Sequence, residues 1–182
     1  MPWSVLLPLL LAALLVYVFV EFARRARVAL ALAREAAGFR SAAAGLGGRV
    51  DALLAQLARR TDAVRRGTLP PGELVEELRA AVATLDDDAV AAHGLVAPLG
   101  AGQLRDAIAD DVARGSRAAE MILHGCQLAA EGRARATERE AQTNIKRGYL
   151  NLLHARESLT AHLAHAARTE PDRPTVRRIS RA

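Results

Sequence analysis

The sequence predicts an all-α fold in which a single N-terminal transmembrane helix precedes a cytosolic helical bundle or antiparallel coiled-coil hairpin. Three observations lead to this prediction. An almost unbroken apolar run covers residues 3–22, and apolar side chains elsewhere recur at spacings of three, four and seven. No segment alternates apolar and polar residues long enough for a half-buried strand. Aromatic residues make up only 3% of the chain, so its apolar content is mostly Ala, Leu and Val.

The apolar run has the length of a membrane span. A hydrocarbon core of roughly 30 Å requires about 20 helical residues. Arginines follow the run and no basic residue precedes it, which favours a cytoplasmic C-terminal side. We therefore expect residues 1–22 to be an uncleaved anchor in the cell membrane, with the N-terminus outside and residues 23–168 in the cytoplasm. The predicted membrane-interface residues are Trp3, Tyr17, Phe22, Arg24, Arg25 and Arg27.

Two other interpretations of the N-terminus remain open, a cleaved secretory signal and a buried helix of a soluble protein. A secretory signal begins with a positive segment, has about 7–15 apolar residues and ends in small residues. This chain begins with MPWS, and bulky residues such as Tyr17, Phe19 and Phe22 precede the arginines. The pattern therefore favours the anchor.

Five helices are predicted after the anchor. Gly45 to Gly48 should interrupt the first, because glycine adopts backbone angles that other residues avoid. Pro71 suits the first turn of a helix, and Asp86 to Asp88 suit a turn with an N-cap. The predicted helices cover about residues 23–44, 49–66, 71–85, 88–96 and 103–168.

The last of these helices is too long for a straight rod beside its neighbours. Its 66 residues would measure about 100 Å, against about 65 Å for residues 23–66. It must bend or extend beyond its partner, and a bend is predicted near 131–144, where few apolar side chains exceed alanine in size. Residues 169–182 form a basic, proline-containing tail that we expect to be disordered, either solvated or in contact with anionic lipid.

Two narrow apolar seams of coiled-coil type run along the predicted helix 103–168. A narrow seam is too small to be the core of an isolated monomer, so the sequence predicts a homo-oligomer or a helical protein partner. The seam residues are Ile108, Val112, Ile122, Cys126, Ile145, Tyr149, Leu152, Leu159 and Leu163.

The sequence offers little catalytic chemistry. It has no phosphate-binding glycine loop, no cysteine pair for zinc and no G-x-S-x-G nucleophile motif. His162 and His165 lie one helical turn apart but lack further ligands of the same quality. We therefore predict no catalytic, cofactor-binding or metal-binding residue, and no enzyme. The single cysteine, Cys126, fits a reducing cytosol.

The net charge of +5 does not indicate a nucleic-acid partner, because the arginines are dispersed among acids and are not interleaved with aromatics. The expected partners are the lipid bilayer and another helical chain. The predicted function is a membrane-anchored scaffold or adaptor that acts through protein contacts. The alternative is a signalling or regulatory module that transmits a conformational state through the interrupted long helix.

Overall fold

The computed structural model describes residues 3–131 and 135–168, with side chains from residue 10 onward apart from residues 12 and 13. The all-α prediction is confirmed, since the described residues form four helices and no strand. The helices are α1 (Trp3–Arg65), α2 (Pro71–His93), α3 (Gly102–Glu131) and α4 (Arg135–Arg168). Among the residues described, no helix is both long enough and apolar enough to cross a membrane. The predicted tail, 169–182, lies outside the described residues.

The four helices form an antiparallel bundle in which α1 packs against α2 and α4, and α3 packs against α2 and α4. Polar pairs mark the antiparallel direction of α1 and α2. Arg49 bonds to Asp88 near one end of the bundle, and Gln56 bonds to Glu77 nearer the other. Short connections join successive helices, as expected for neighbouring antiparallel helices.

Helix α1 continues through Gly45 to Gly48, so the two predicted helices 23–44 and 49–66 are one. Each glycine costs about 0.8–1 kcal/mol in a helix relative to alanine, but the buried face keeps its register across them. Its residues recur at spacings of three and four: Ala36, Phe39, Ala43, Leu46, Val50, Leu54, Leu57, Thr61 and Val64. Burial of this face outweighs the local preference for a break.

Helix α2 likewise merges the two predicted helices 71–85 and 88–96. Pro71 occupies its first turn, as expected, but Asp86 to Asp88 lie inside the helix and it ends at His93. Two of the three acids have partners across the bundle: Asp86 accepts a 2.6 Å hydrogen bond from Ser116, and Asp88 accepts a 2.8 Å bond from Arg49. Tertiary contacts therefore replace the capping role predicted for this acidic triplet.

The predicted helix 103–168 is divided into α3 and α4, with residues 132–134 outside the described part of the chain. The division falls inside the interval 131–144, but it is a full reversal and not a bend. Gly125 and Gly148 permit the close approach of the two helices. A Cβ on Gly125 would lie 2.8 Å from the Ala141 carbonyl oxygen, and one on Gly148 would lie 2.9 Å from that of Ala118.

The N-terminal part of α1 lies beyond the bundle. Its first buried side chain is Ala36, and none of the described side chains before it is buried. We term residues 3–35 the arm. At 1.5 Å per residue the arm extends α1 by about 50 Å past the core, and it leaves the bundle at the end that carries the α2–α3 connection and the end of α4.

Candidate functional site

The arm exposes an unusual amount of apolar surface. Phe19 and Phe22 are 73% and 72% exposed, and the other large apolar side chains described between Leu10 and Val20 are more than half exposed. A single exposed apolar residue is ordinary, whereas a contiguous apolar surface marks a contact with protein or lipid. The arm is therefore the first candidate functional surface.

The predicted membrane-interface residues lie on this arm. Tyr17, Phe22, Arg24, Arg25 and Arg27 are all exposed. The Arg25 guanidinium makes a 3.0 Å ion pair with Glu21, one turn earlier on the helix. The Trp3 side chain lies outside the described residues. The arm thus combines an apolar section, residues 3–22, with a basic section, residues 24–34, that directly follows it.

The seam residues are not on the surface, where self-association through them would require them to be. They lie in the core, where α3 and α4 face each other and the bundle half of α1. Of the nine, only Tyr149 and Leu163 are partly exposed. The spacing identified an apolar seam, but spacing does not reveal whether the partner helix belongs to the same chain. Here the two seam helices, α3 and α4, pack on each other, and α2 and α1 complete the core, so the seams no longer argue for a second copy.

Two basic side chains join α4 to α1 at the edge of this core. Arg156 donates to both carboxylate oxygens of Asp51 at 2.6 and 3.3 Å. The hydrogen bond to Asp51 raises the pKa of Arg156. The Arg65 guanidinium lies over the Tyr149 ring, 4.5 Å from its centre, in a cation–π contact.

A buried acid connects α3 and α4 near the end from which the arm leaves. The Asp111 side chain is 2% exposed. Its carboxylate accepts a 2.6 Å hydrogen bond from His162 Nδ1 and forms a 3.3 Å ion pair with Arg114. Sequence reasoning singled out His162 but not this acid. In the described part of the chain, no group of three or more His, Cys, Asp or Glu side chains is placed to bind a metal.

Cys126 lies on the seam between α3 and α4 and is fully buried. Burial raises the pKa of its thiol to about 11. The thiol is therefore protonated at neutral pH and acts as a small apolar side chain.

The outer face of α1 is open. Gly38, Gly45 and Gly48 are exposed, and a Cβ at any of them would meet no other atom within 4 Å. Ser41 is also exposed, and the four positions recur at spacings of three and four on one helix face. Packing within the described chain does not account for three glycines here. Gly47 differs, since a Cβ there would overlap the Leu163 side chain.

A cavity of about 880 Å³ lies at the end of the bundle far from the arm. It is bounded by the last turns of α1 and α3 and the first turns of α2 and α4. Sequence reasoning did not predict it. The available signal was the scarcity of large apolar side chains in 131–144, which leaves the beginning of α4 unable to fill the space between the helix ends.

Comparisons with known protein families, curated proteins and solved structures find no match to the chain.

Proposed function

We propose that the protein is a membrane-anchored helical scaffold or adaptor, in which the arm inserts into the bilayer and the bundle makes contacts with protein on the cytoplasmic side. The observation that carries the proposal is the exposed apolar surface of the arm, in a helix continuous with the bundle. An apolar run of residues 3–22 ends at arginines, which suit the anionic headgroups of the cytoplasmic leaflet.

Membrane insertion is tested with paired charges in the arm. Leu14→Arg with Val18→Arg places two cations in the apolar section, at a cost of about 2.5–3.5 kcal/mol each near the centre of a span. The full chain should remain in the membrane pellet after alkaline carbonate extraction, and this variant should be released. Val96→Arg with Leu99→Arg is the control, since both residues are exposed on the α2–α3 connection. Extraction of the unaltered chain into the soluble fraction would refute the anchor.

The cytoplasmic orientation is tested separately with reporters fused to the C-terminus. The arginines after Phe22 predict a signal from a cytoplasmic reporter. Activity of a periplasmic alkaline phosphatase, without that signal, would refute the orientation.

For the protein contact, the partner that we propose is a second copy at the outer face of α1. Glycine at exposed helix positions lowers helix stability and lets a second helix approach closely. The arms of two copies would cross the same bilayer side by side, with their arginines at the same cytoplasmic surface, in the orientation that parallel packing of α1 requires. We therefore keep the prediction of self-association, but we assign the contact to the outer face of α1 and not to the seams.

Cysteine cross-linking in membranes tests this contact. Ser41→Cys lies among the exposed glycines, whereas Thr84→Cys is exposed on α2 and serves as the control. Mild oxidation should cross-link the first variant as a dimer and leave the second monomeric. The native Cys126 is buried and should not contribute. Equal cross-linking of the two variants, or none of the first, would refute a dimer through this face.

A signalling role is the second candidate, and the continuity of α1 favours it. The same helix runs from the arm into the buried face that begins at Ala36, so a displacement of the arm would be carried into the bundle. Inserting two glycines after Arg34 should uncouple the two parts. Hydrogen exchange at the bundle end of α1 should then no longer respond to the lipid composition around the arm.

A further inference from the structure

The cavity at the far end of the bundle has two kinds of lining. Its inner wall is apolar and includes the buried side chains of Val64, Ala141 and Ile145, with Leu128 partly buried beside them. Its rim is polar and carries exposed Arg65, Arg135 and Lys146. An apolar wall with a few convergent polar groups is typical of small-molecule sites, which commonly measure roughly 300–1,000 Å³. The cavity lies within this range.

The charges at the rim are predominantly positive. Three cationic side chains line the cavity together with one acid, Glu138, and one amide, Gln142. Arg65 also makes a 3.4 Å ion pair with Asp62, which partly offsets its charge, and its guanidinium lies over the Tyr149 ring. Arg135 and Lys146 add two further cations to the rim. The rim therefore suits a ligand that carries negative charge.

A buried hydroxyl lies near this end of the bundle, one helical turn from the lining residues Val64 and Arg65 and not itself in the lining. Thr61 lies one turn before Val64 and Arg65 on the same face of α1, is fully buried, and its Oγ1 has no hydrogen-bond partner within the described structure. Buried polar groups without partners are uncommon in folded proteins. At this end of the bundle, a buried hydroxyl lacks a hydrogen-bond partner within the described structure and the space between the helix ends is not filled by side chains.

We propose that this cavity binds a small amphipathic anion, an apolar ring or short chain that carries a carboxylate. The apolar body would lie against Val64 and Ile145, and the carboxylate would accept hydrogen bonds from the cationic rim. Guanidinium and ammonium groups form charge-assisted hydrogen bonds with carboxylates, which are stronger than neutral ones. The site lies at the opposite end of the bundle from the arm, so it is separate from the proposed membrane anchor.

The binding test uses 2-naphthoate, which has a rigid apolar body and one carboxylate. The full chain in lipid nanodiscs is titrated by calorimetry, with empty nanodiscs subtracted to remove probe dissolved in lipid. The matched cation, 2-naphthylmethylammonium, has a similar apolar body and the opposite charge. We expect saturable binding of one naphthoate per chain and at least tenfold weaker binding of the cation. No saturable binding of naphthoate, or equal binding of both probes, would overturn the proposal.

Two pairs of variants then place the site. Arg135→Gln with Lys146→Gln should weaken naphthoate binding by about tenfold, because charged hydrogen bonds are lost. Arg139→Gln with Arg147→Gln removes two exposed cations of the same helix that do not line the cavity, and should leave binding unchanged. All four side chains are exposed, so folding should be preserved and is checked by circular dichroism. Equal effects of the two pairs would overturn the proposed site.

The apolar wall is tested by filling it. Ala129→Phe places a ring at a residue that lines the cavity, whereas Ala130→Phe places the same ring on an exposed neighbour. The first variant should abolish naphthoate binding and the second should retain it. Unaltered binding by the first variant would show that the probe binds elsewhere. Should the chain prove soluble without lipid, the same titrations apply in buffer, so failure of the anchor does not decide this proposal.

Discussion

His162 on α4 donates from Nδ1 to the buried carboxylate of Asp111 on α3, across 2.6 Å. The other Asp111 oxygen lies 3.3 Å from Arg114, one turn further along α3. A buried acid is tolerated when it is paired and hydrogen-bonded. These two partners therefore allow an acid inside the α3–α4 interface.

We predict that Asp111→Ala lowers the free energy of unfolding by about 1–3 kcal/mol, because the link between α3 and α4 is lost. The neighbouring Asp110 is exposed, and Asp110→Ala should change stability by less than about 0.5 kcal/mol. Thermal and urea unfolding followed by circular dichroism measure both. Similar losses for the two variants would mean that the buried pair contributes nothing specific.

The glycines of this chain should respond to alanine in opposite ways. In the monomeric chain, Gly45→Ala and Gly48→Ala add a methyl group in open space and should stabilise the helix by about 0.5–1 kcal/mol each. Gly125→Ala and Gly148→Ala would force α3 and α4 apart and should destabilise by about 1–3 kcal/mol. Unfolding in urea compares them. Stabilisation by all four would contradict the close approach of α3 and α4.

Cys126 should be almost unreactive in the folded protein. Because burial raises the pKa of its thiol to about 11, the thiolate fraction near pH 8 is about a hundredfold lower than for an ordinary exposed thiol. Alkylation by iodoacetamide should be slow in the native chain and fast in urea, with Thr84→Cys as an exposed comparison. Since the unfolded thiol ionises first, stability should fall as the pH rises above about 9. Rapid native alkylation would contradict the burial.

Leu152 and Arg156 lie one turn apart on α4, yet they should contribute very differently to stability. Leu152 is fully buried, and Leu152→Ala should cost about 2–5 kcal/mol. The Arg156 pair with Asp51 is partly exposed, so Arg156→Met should cost no more than about 1 kcal/mol. Leu150→Ala, at an exposed position, is the control for the first substitution. A larger loss for Arg156→Met than for Leu152→Ala would contradict this ranking.

The sequence predicts the helical class, the helix start at Pro71 and the interval that contains the α3–α4 reversal, because strong local signals mark them. It does not predict the passage of α1 through Gly45 to Gly48 or of α2 through Asp86 to Asp88. At those positions glycine and aspartate favour turns locally, but contacts distant in sequence outweigh that preference. Arg49 and Ser116 pair with the aspartates, and burial of Phe39, Leu46 and Val50 on one face keeps α1 helical across the glycines.

The candidate functional surfaces also differ in how far the sequence predicts them. The apolar and basic sections of the arm follow from composition along the chain alone. The burial of the seams and the presence of the cavity depend on which helices pack together, which spacing does not reveal. Asp111 illustrates the limit, since nothing in its local sequence distinguishes it from the exposed Asp110.

Hydrogen exchange should distinguish the two ends of α4. The side chains of residues 135–140 are exposed apart from the half-buried Thr137, whereas Ala141 and Ile145 are buried. A helix segment without a packed apolar face gains little from tertiary contacts, so its backbone hydrogen bonds open readily. We therefore expect fast amide exchange through residue 140 and protection from about Ile145 onward.

The same measurement checks the cavity, because its wall contains both Ala141 and Ile145. Saturating 2-naphthoate should slow exchange in the first two turns of α4 and leave the α2–α3 connection, at the other end of the bundle, unchanged. Ala129→Phe should remove the response to the probe. Slow exchange throughout residues 135–145 without any probe, equal to that around Ile122 and Leu152, would show that this end of the bundle is already packed, and the cavity would then have to be abandoned as a binding site.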